Sequence, residues 1–220
     1  MRPVSDRYST RGPETEAEPG SRGRVLRNLL GIRSAREMAR RESEVLLAAT
    51  QRVIDETRLD QQFRADDIRR MHRLWLGEIY QWAGEYRQVN ISKGSFMFAA
   101  ADRVPHLMRE FEQGSLREFT PCRYTAISEQ AHALAVVHAE LVLIHPFREG
   151  NGRCARLLAM LMGLQAGLPA LDFGGISGKT KSRYIEAIHA AMGHDYVPMA
   201  TIFHGVITRT LKSQARIFSE

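Results

Sequence analysis

Residues 145–153 read His145-Pro146-Phe147-Arg148-Glu149-Gly150-Asn151-Gly152-Arg153, and Arg156 follows one helical turn later. A base, an acid, two glycines around an amide and two guanidiniums thus share twelve positions. His145 sits at the predicted end of a helix, and an imidazole titrating near neutrality suits removal of a proton from a hydroxyl nucleophile. Gly150 and Gly152 permit positive φ and leave no Cβ in the way of an anion, so successive amides there can form a nest. The helix expected to open at about Gly152 and run to about Ala166 adds unpaired first-turn N–H groups and the positive end of its dipole. Arg153 and Arg156, three apart, share a helix face, and two guanidiniums that can each fork phosphate oxygens suit a polyphosphate. Glu149 would repel a bare phosphate, and a bridging Mg²⁺ resolves the conflict. Phe147 is expected to point inward and fix the loop. Taken singly, these residues read as a cap, a solvated carboxylate and a turn; together they describe a nucleotide-handling loop.

Working outward, Ser34 with Glu37 three residues on is a capping-box start for a helix to about Glu56. The spacing of Ile68, Met71, Leu74, Trp75, Ile79 and Trp82 predicts a helix over about 66–82, broken by Gly84. Residues 86–98 hold two β-favouring runs around Lys93-Gly94-Ser95, read as a hairpin. Further helices are expected at about 102–117, 124–144, 179–193 and 196–213. Residues 1–22, rich in proline, glycine and charge, read as a flexible tail before a domain at 23–220. The fold class is all-α with one small hairpin.

The chain has 220 residues, 44% hydrophobic and 25% charged, as an ordinary globular domain would. The apolar run Ala133–Ile144 is interrupted by His138 and Glu140, and no stretch reaches the roughly 18 apolar residues of a membrane span. The N-terminus has no apolar h-region. Cys122 and Cys154 are far apart and read as small buried apolar residues in a reducing cytoplasm. The net charge is +6, but Arg33, Arg36, Arg40 and Arg41 alternate with Glu37, Glu42 and Glu44 as on a solvated helix face. No aromatics interleave with a basic stripe, which argues against nucleic-acid binding. His132, His138 and His145 do not stack on one helix face, so a zinc site is not expected.

The pattern His145-x-Phe147-x-Glu149-Gly150-Asn151-Gly152-Arg153-x-x-Arg156 resembles the complete signature of the Fic (Fido) family. Gly84-Glu85-Tyr86-Arg87 and the hairpin after it are similar to the family's flap, and the resemblance spans about residues 23–213. It implies a mostly helical fold and a protein adenylyltransferase that moves AMP from ATP to a hydroxyl of a target protein. On this resemblance His145 would be the base and Glu149 the Mg²⁺ ligand. Gly150, Asn151 and Gly152 would cradle the phosphates, with Arg153 on the β-phosphate side and Arg156 at the γ-phosphate. The flap, Val89, Asn90, Ile91, Ser92, Lys93, Gly94, Ser95, Phe96, Met97 and Phe98, would receive the target as an added strand, with Phe96 and Phe98 as candidate clamps. Many family members carry an inhibitory Ser/Thr-x-x-x-Glu-Gly/Asn helix. Thr10–Thr15, Thr125–Gln130 and Ser182–Ala187 each fail to complete it. This suggests a toxin-like member held in check by a separate antitoxin whose glutamate meets Arg156, with a type II topoisomerase as one candidate target. Transfer of phosphate, UMP or phosphocholine, and a non-catalytic nucleotide-binding regulator, remain open alternatives.

Overall fold

The computed structural model describes residues 14, 16–94, 96–176 and 178–217. Ser95 of the expected flap, and 1–13 and 15 of the expected tail, lie outside the described residues. The elements are α1 (Ala35–Glu56), α2 (Ala65–Leu76), β1 (Ser92–Lys93), β2 (Phe96–Met97), α3 (Val104–Phe111), α4 (Arg117–Phe119), α5 (Ile127–Ile144), α6 (Asn151–Gln165), α7 (Gly178–Ala191) and α8 (Val197–Ile217). This is the helical fold with one antiparallel hairpin that the sequence predicts, paired Ser92 to Met97 and Lys93 to Phe96.

The chain divides into two compact units. The first holds residues up to Glu56, Ala65–Glu110 and Ile144–Cys154. In it α1 packs on α2 around Met38, Ala49, Trp75, Leu76, Ile79 and Tyr80. Ser34 caps α1 as expected, its hydroxyl accepting the Glu37 N–H at 3.4 Å. The second unit holds Thr57–Arg64, Phe111–Leu143 and Ala155–Glu220. There α7 packs on α8, and Leu134, Leu141, Leu158, Leu161, Met162 and Phe203 are buried. Helix α5 is mostly apolar and two thirds buried, as a core helix is. Its length and composition alone would also suit a membrane span, a test that a buried core helix passes equally.

Three boundaries differ from expectation. Helix α2 stops at Leu76 rather than near residue 82, because the Ile79 carbonyl takes the Leu29 N–H at 2.8 Å and the chain turns there. The helix expected over 102–117 is interrupted by a wide turn over Glu112–Leu116 in which Gly114 leaves helical geometry, φ −97° and ψ −105°. The described part of the expected tail is folded: the Glu18 N–H reaches the Val25 carbonyl and the Arg27 N–H reaches that of Glu16, both at 2.9 Å. Val25 and Leu26 are buried, so their surrounding backbone polar groups need partners.

Candidate functional site

Helix α5 ends at Ile144, and His145 follows it in the left-handed region, φ +52°, the position that usually terminates a helix with glycine or asparagine. Arg87 holds it there. The Arg87 Nε donates to the His145 carbonyl at 2.7 Å, and the Arg87 N–H donates to the Pro146 carbonyl at 2.9 Å. Phe147 points inward, as expected, fully buried and stacked on His72 with centroids 3.9 Å apart. His72 also ties the loop to the turn at Gly84, one ring nitrogen to each. Its Nδ1 accepts the Gly84 N–H at 2.8 Å, which leaves the proton on Nε2 to donate to the Glu149 carbonyl at 3.0 Å. Burial holds this imidazole neutral, pulling its pKa down to about 4.

The Asn151 side chain is engaged within the loop. Its side-chain oxygen accepts the Phe147 N–H at 2.8 Å and its amide donates to the Phe147 carbonyl at 2.7 Å. The side chain is therefore a clamp across the loop, and only the Asn151 backbone faces helix-terminus duty. The two glycines also part company. Gly150 has φ +85°, and a Cβ on it would lie 2.7 Å from Trp75 Cζ3. Gly152 lies inside α6, which opens at Asn151 rather than Gly152, and a Cβ there would meet nothing within 4 Å. Its value is open space at a helix N-terminus, where first-turn N–H groups have no intrahelical acceptor.

Arg153 is set from three sides. Its Nη1 lies 2.8 Å from a Glu42 carboxylate oxygen and its Nη2 lies 3.6 Å from Glu149. Its guanidinium sits over the Trp75 ring at 4.4 Å. Glu42 is buried and also accepts the Tyr80 hydroxyl at 2.8 Å; burial and this carboxylate raise the Tyr80 pKa. The expectation that Glu42 belongs to a solvated face is thus overturned. It falls on the buried stripe Met38, Glu42, Ala49, Val53 of α1, a periodicity visible in the sequence. His72 shares the same signal, a polar residue on the stripe of Ile68, Met71 and Trp75. Arg156, half-buried, stands on the next turn of α6.

Glu149 keeps its carboxylate largely buried, with Oε1 accepting the Gly150 N–H at 3.1 Å. No group of three metal-binding side chains occurs among the described residues. A single carboxylate fits Mg²⁺ held jointly with substrate phosphates and water, not a protein-built cage. Of the other histidines, His138 lies 2.8 Å from the Tyr184 hydroxyl and His132 meets Phe119 edge-on.

The hairpin begins next to this loop. Val89 and Ile91 are buried with Phe98 packed against them, and Asn90 Oδ1 accepts the Ala101 N–H at 2.8 Å. Phe98 stacks on the His145 imidazole, centroids 3.7 Å apart and planes 22° apart. Phe96 meets Phe98 edge-on at 5.1 Å. Met97, Lys93 and Gly94 are exposed, while Ser92 is buried. Of the two candidate clamps, Phe98 covers the His145 imidazole.

Comparison with known proteins gives a consistent picture. Residues 62–162 match the family model described as Fic/DOC. Over 155 residues the chain is 30% identical to protein adenylyltransferase VbhT of Bartonella schoenbuchensis, covering 70% of this chain and 31% of that protein. Over 180 residues it is 27% identical to the probable protein adenylyltransferase y4lH of Sinorhizobium fredii, covering 80% and 88%. The ADP-bound N-terminal Fic domain of a putative cell filamentation protein from Bartonella quintana superposes with a TM-score of 0.66 at 25% identity, covering 82% and 89%. The chain thus spans about a third of VbhT and nearly all of y4lH.

Proposed function

We propose, for a chain that belongs to the Fic/DOC family through residues 62–162, that it transfers AMP from ATP to a hydroxyl of a target protein. The observation that carries this reading is the 145–153 loop itself. It holds an imidazole, a carboxylate and an open helix N-terminus in one clamped turn, with every defined position of the signature intact. His145 takes the proton of the target Ser, Thr or Tyr hydroxyl. The hydroxyl oxygen bonds to the α-phosphorus of ATP, the bond from that phosphorus to the bridging oxygen breaks, and pyrophosphate leaves. Amides at the start of α6 receive phosphate oxygens, and Arg153 and Arg156 balance their charge. Glu149 holds Mg²⁺, which neutralises charge on the phosphates when bound. The hairpin supplies backbone groups to which an extended target segment adds as a strand.

The regulatory reading rests on the sequence. The 220 residues hold no complete Ser/Thr-x-x-x-Glu-Gly/Asn motif, and in this reading a separate small antitoxin supplies the glutamate that meets Arg156. The protein is then a toxin-like cytoplasmic enzyme, and a type II topoisomerase is the first target to assay. The test is incubation with labelled ATP, Mg²⁺ and a bacterial lysate, with His145→Ala as control and mass spectrometry of the modified protein. An AMP adduct that disappears with His145→Ala is expected. A phosphate, UMP or phosphocholine adduct reassigns the transferred group, and labelling that survives the substitution removes the assigned base. Addition of excess cognate antitoxin is expected to abolish labelling, and an Arg156-directed glutamate substitution in it to restore labelling.

A further inference from the structure

Arg87 is 1% exposed, and its donors go to backbone carbonyls on two separate segments. Nε reaches the His145 carbonyl at 2.7 Å and Nη2 the Ile144 carbonyl at 3.4 Å. Nη1 reaches the Val89 carbonyl at 2.8 Å, and Nη2 also takes that of Ala99. Val89 and Ala99 are the two roots of the hairpin, and Ile144 and His145 are the end of α5 and the assigned base. The Arg87 N–H adds Pro146 to the second set. Burial depresses the guanidinium pKa to about 10, so the charge persists at neutral pH at a desolvation cost. That cost is offset by four bonds to carbonyls.

We propose that Arg87 is a positioning residue that fixes the hairpin roots and the His145 backbone to one another, so that a target strand docked on the hairpin meets the base in register. The inference rests on the assignment of His145 as base. The guanidinium is planar and rigid, so displacement of either hairpin root is passed to the His145 carbonyl. His145 needs such a hold, because its left-handed φ of +52° is strained for a residue with a Cβ. Phe98, stacked on the imidazole, gives the ring a second contact with the same hairpin. A lysine carries its three donors on one atom and does not reproduce the planar spread that reaches Val89, Ala99, Ile144 and His145 together.

The test uses Arg87→Lys and Arg87→Gln in the full chain, with thermal unfolding as a check on folding. Three quantities are read: kcat for AMP transfer, Kd for a non-hydrolysable ATP analogue, and amide hydrogen exchange at 89–99 and at Ile144, His145 and Phe147. The expected result is a fall in kcat of about a hundredfold from a misplaced base, with Kd for the analogue unchanged within about threefold. Both amide sets should exchange faster together. Wild-type kcat in a folded Arg87→Lys protein overturns the proposal, as does faster exchange in one set alone. Exchange of the wild-type protein through a denaturant series adds a reading that needs no variant: the two sets should open with one free energy, and distinct opening energies overturn the coupling. If the wild-type protein binds nucleotide but transfers nothing, the assigned reaction fails while the exchange data still decide the coupling.

Discussion

Gly150 and Gly152 flank Asn151 symmetrically in sequence and do opposite work in space. Gly150→Ala places a methyl 2.7 Å from the Trp75 ring at φ +85°, which predicts a loss of about 2–4 kcal/mol of stability. Gly152→Ala adds a methyl to a helical residue with open surroundings, which predicts a gain of about 0.5 kcal/mol together with weaker ATP binding where the phosphates approach. Thermal unfolding of the two variants beside ATP titration separates these outcomes; equal melting temperatures would contradict the distinction. Glu42 is the residue on which sequence reasoning failed most usefully. Among charges on a mostly polar helix it looks solvated, yet its i, i+4 relation to Met38 puts it on the buried stripe. Glu42→Ala leaves a largely buried Arg153 with one weaker carboxylate contact, and about 3 kcal/mol of destabilisation is expected. In a double-mutant cycle with Arg153→Ala the two losses should be strongly non-additive, and simple additivity would count against the pair.

At the scale of elements, the loop and the hairpin form the working part of the first unit. The loop is closed on itself by Asn151 across Phe147, so Asn151→Ala should cost about 1–3 kcal/mol and lower kcat through a looser His145. Phe98→Ala should uncover an imidazole that is now buried. Its acylation by diethyl pyrocarbonate, followed by peptide mass mapping at His145, is expected to accelerate several-fold; an unchanged rate would show that Phe98 does not shield the base. Element existence was legible because apolar spacing and caps such as Ser34 are local signals. The end of α2 was not, because it depends on the Leu29 N–H reaching Ile79, a contact between residues fifty apart in the chain. The hairpin was legible from Lys93-Gly94, whereas its latch through Arg87 was not.

Across the molecule, two buried histidines are held in the neutral form, His72 in the first unit and His138 in the second, each with its pKa pulled down to about 4 by burial. The unfolded chain takes up protons at these rings near pH 6.5 while the folded chain refuses them to about pH 4. Their stabilising contribution is therefore complete above pH 6.5 and is lost as pH falls through that window, by about 3 kcal/mol per histidine. Urea unfolding between pH 7.5 and 4.5 should show this decline, and His72→Gln should shrink it; a flat profile would refute the assignment. Sequence by itself determined the helical class, the hairpin and the family through its signature at 145–156, because periodicity, turn residues and a spaced motif are written along the chain. Only the tertiary structure decided that the Asn151 side chain clamps the loop, that Glu42 and Trp75 hold Arg153, that His72 pins the loop, and that Arg87 joins the hairpin roots to His145. Those roles belong to partners distant in sequence, and burial together with the geometry of approach, which no local pattern encodes, selects them.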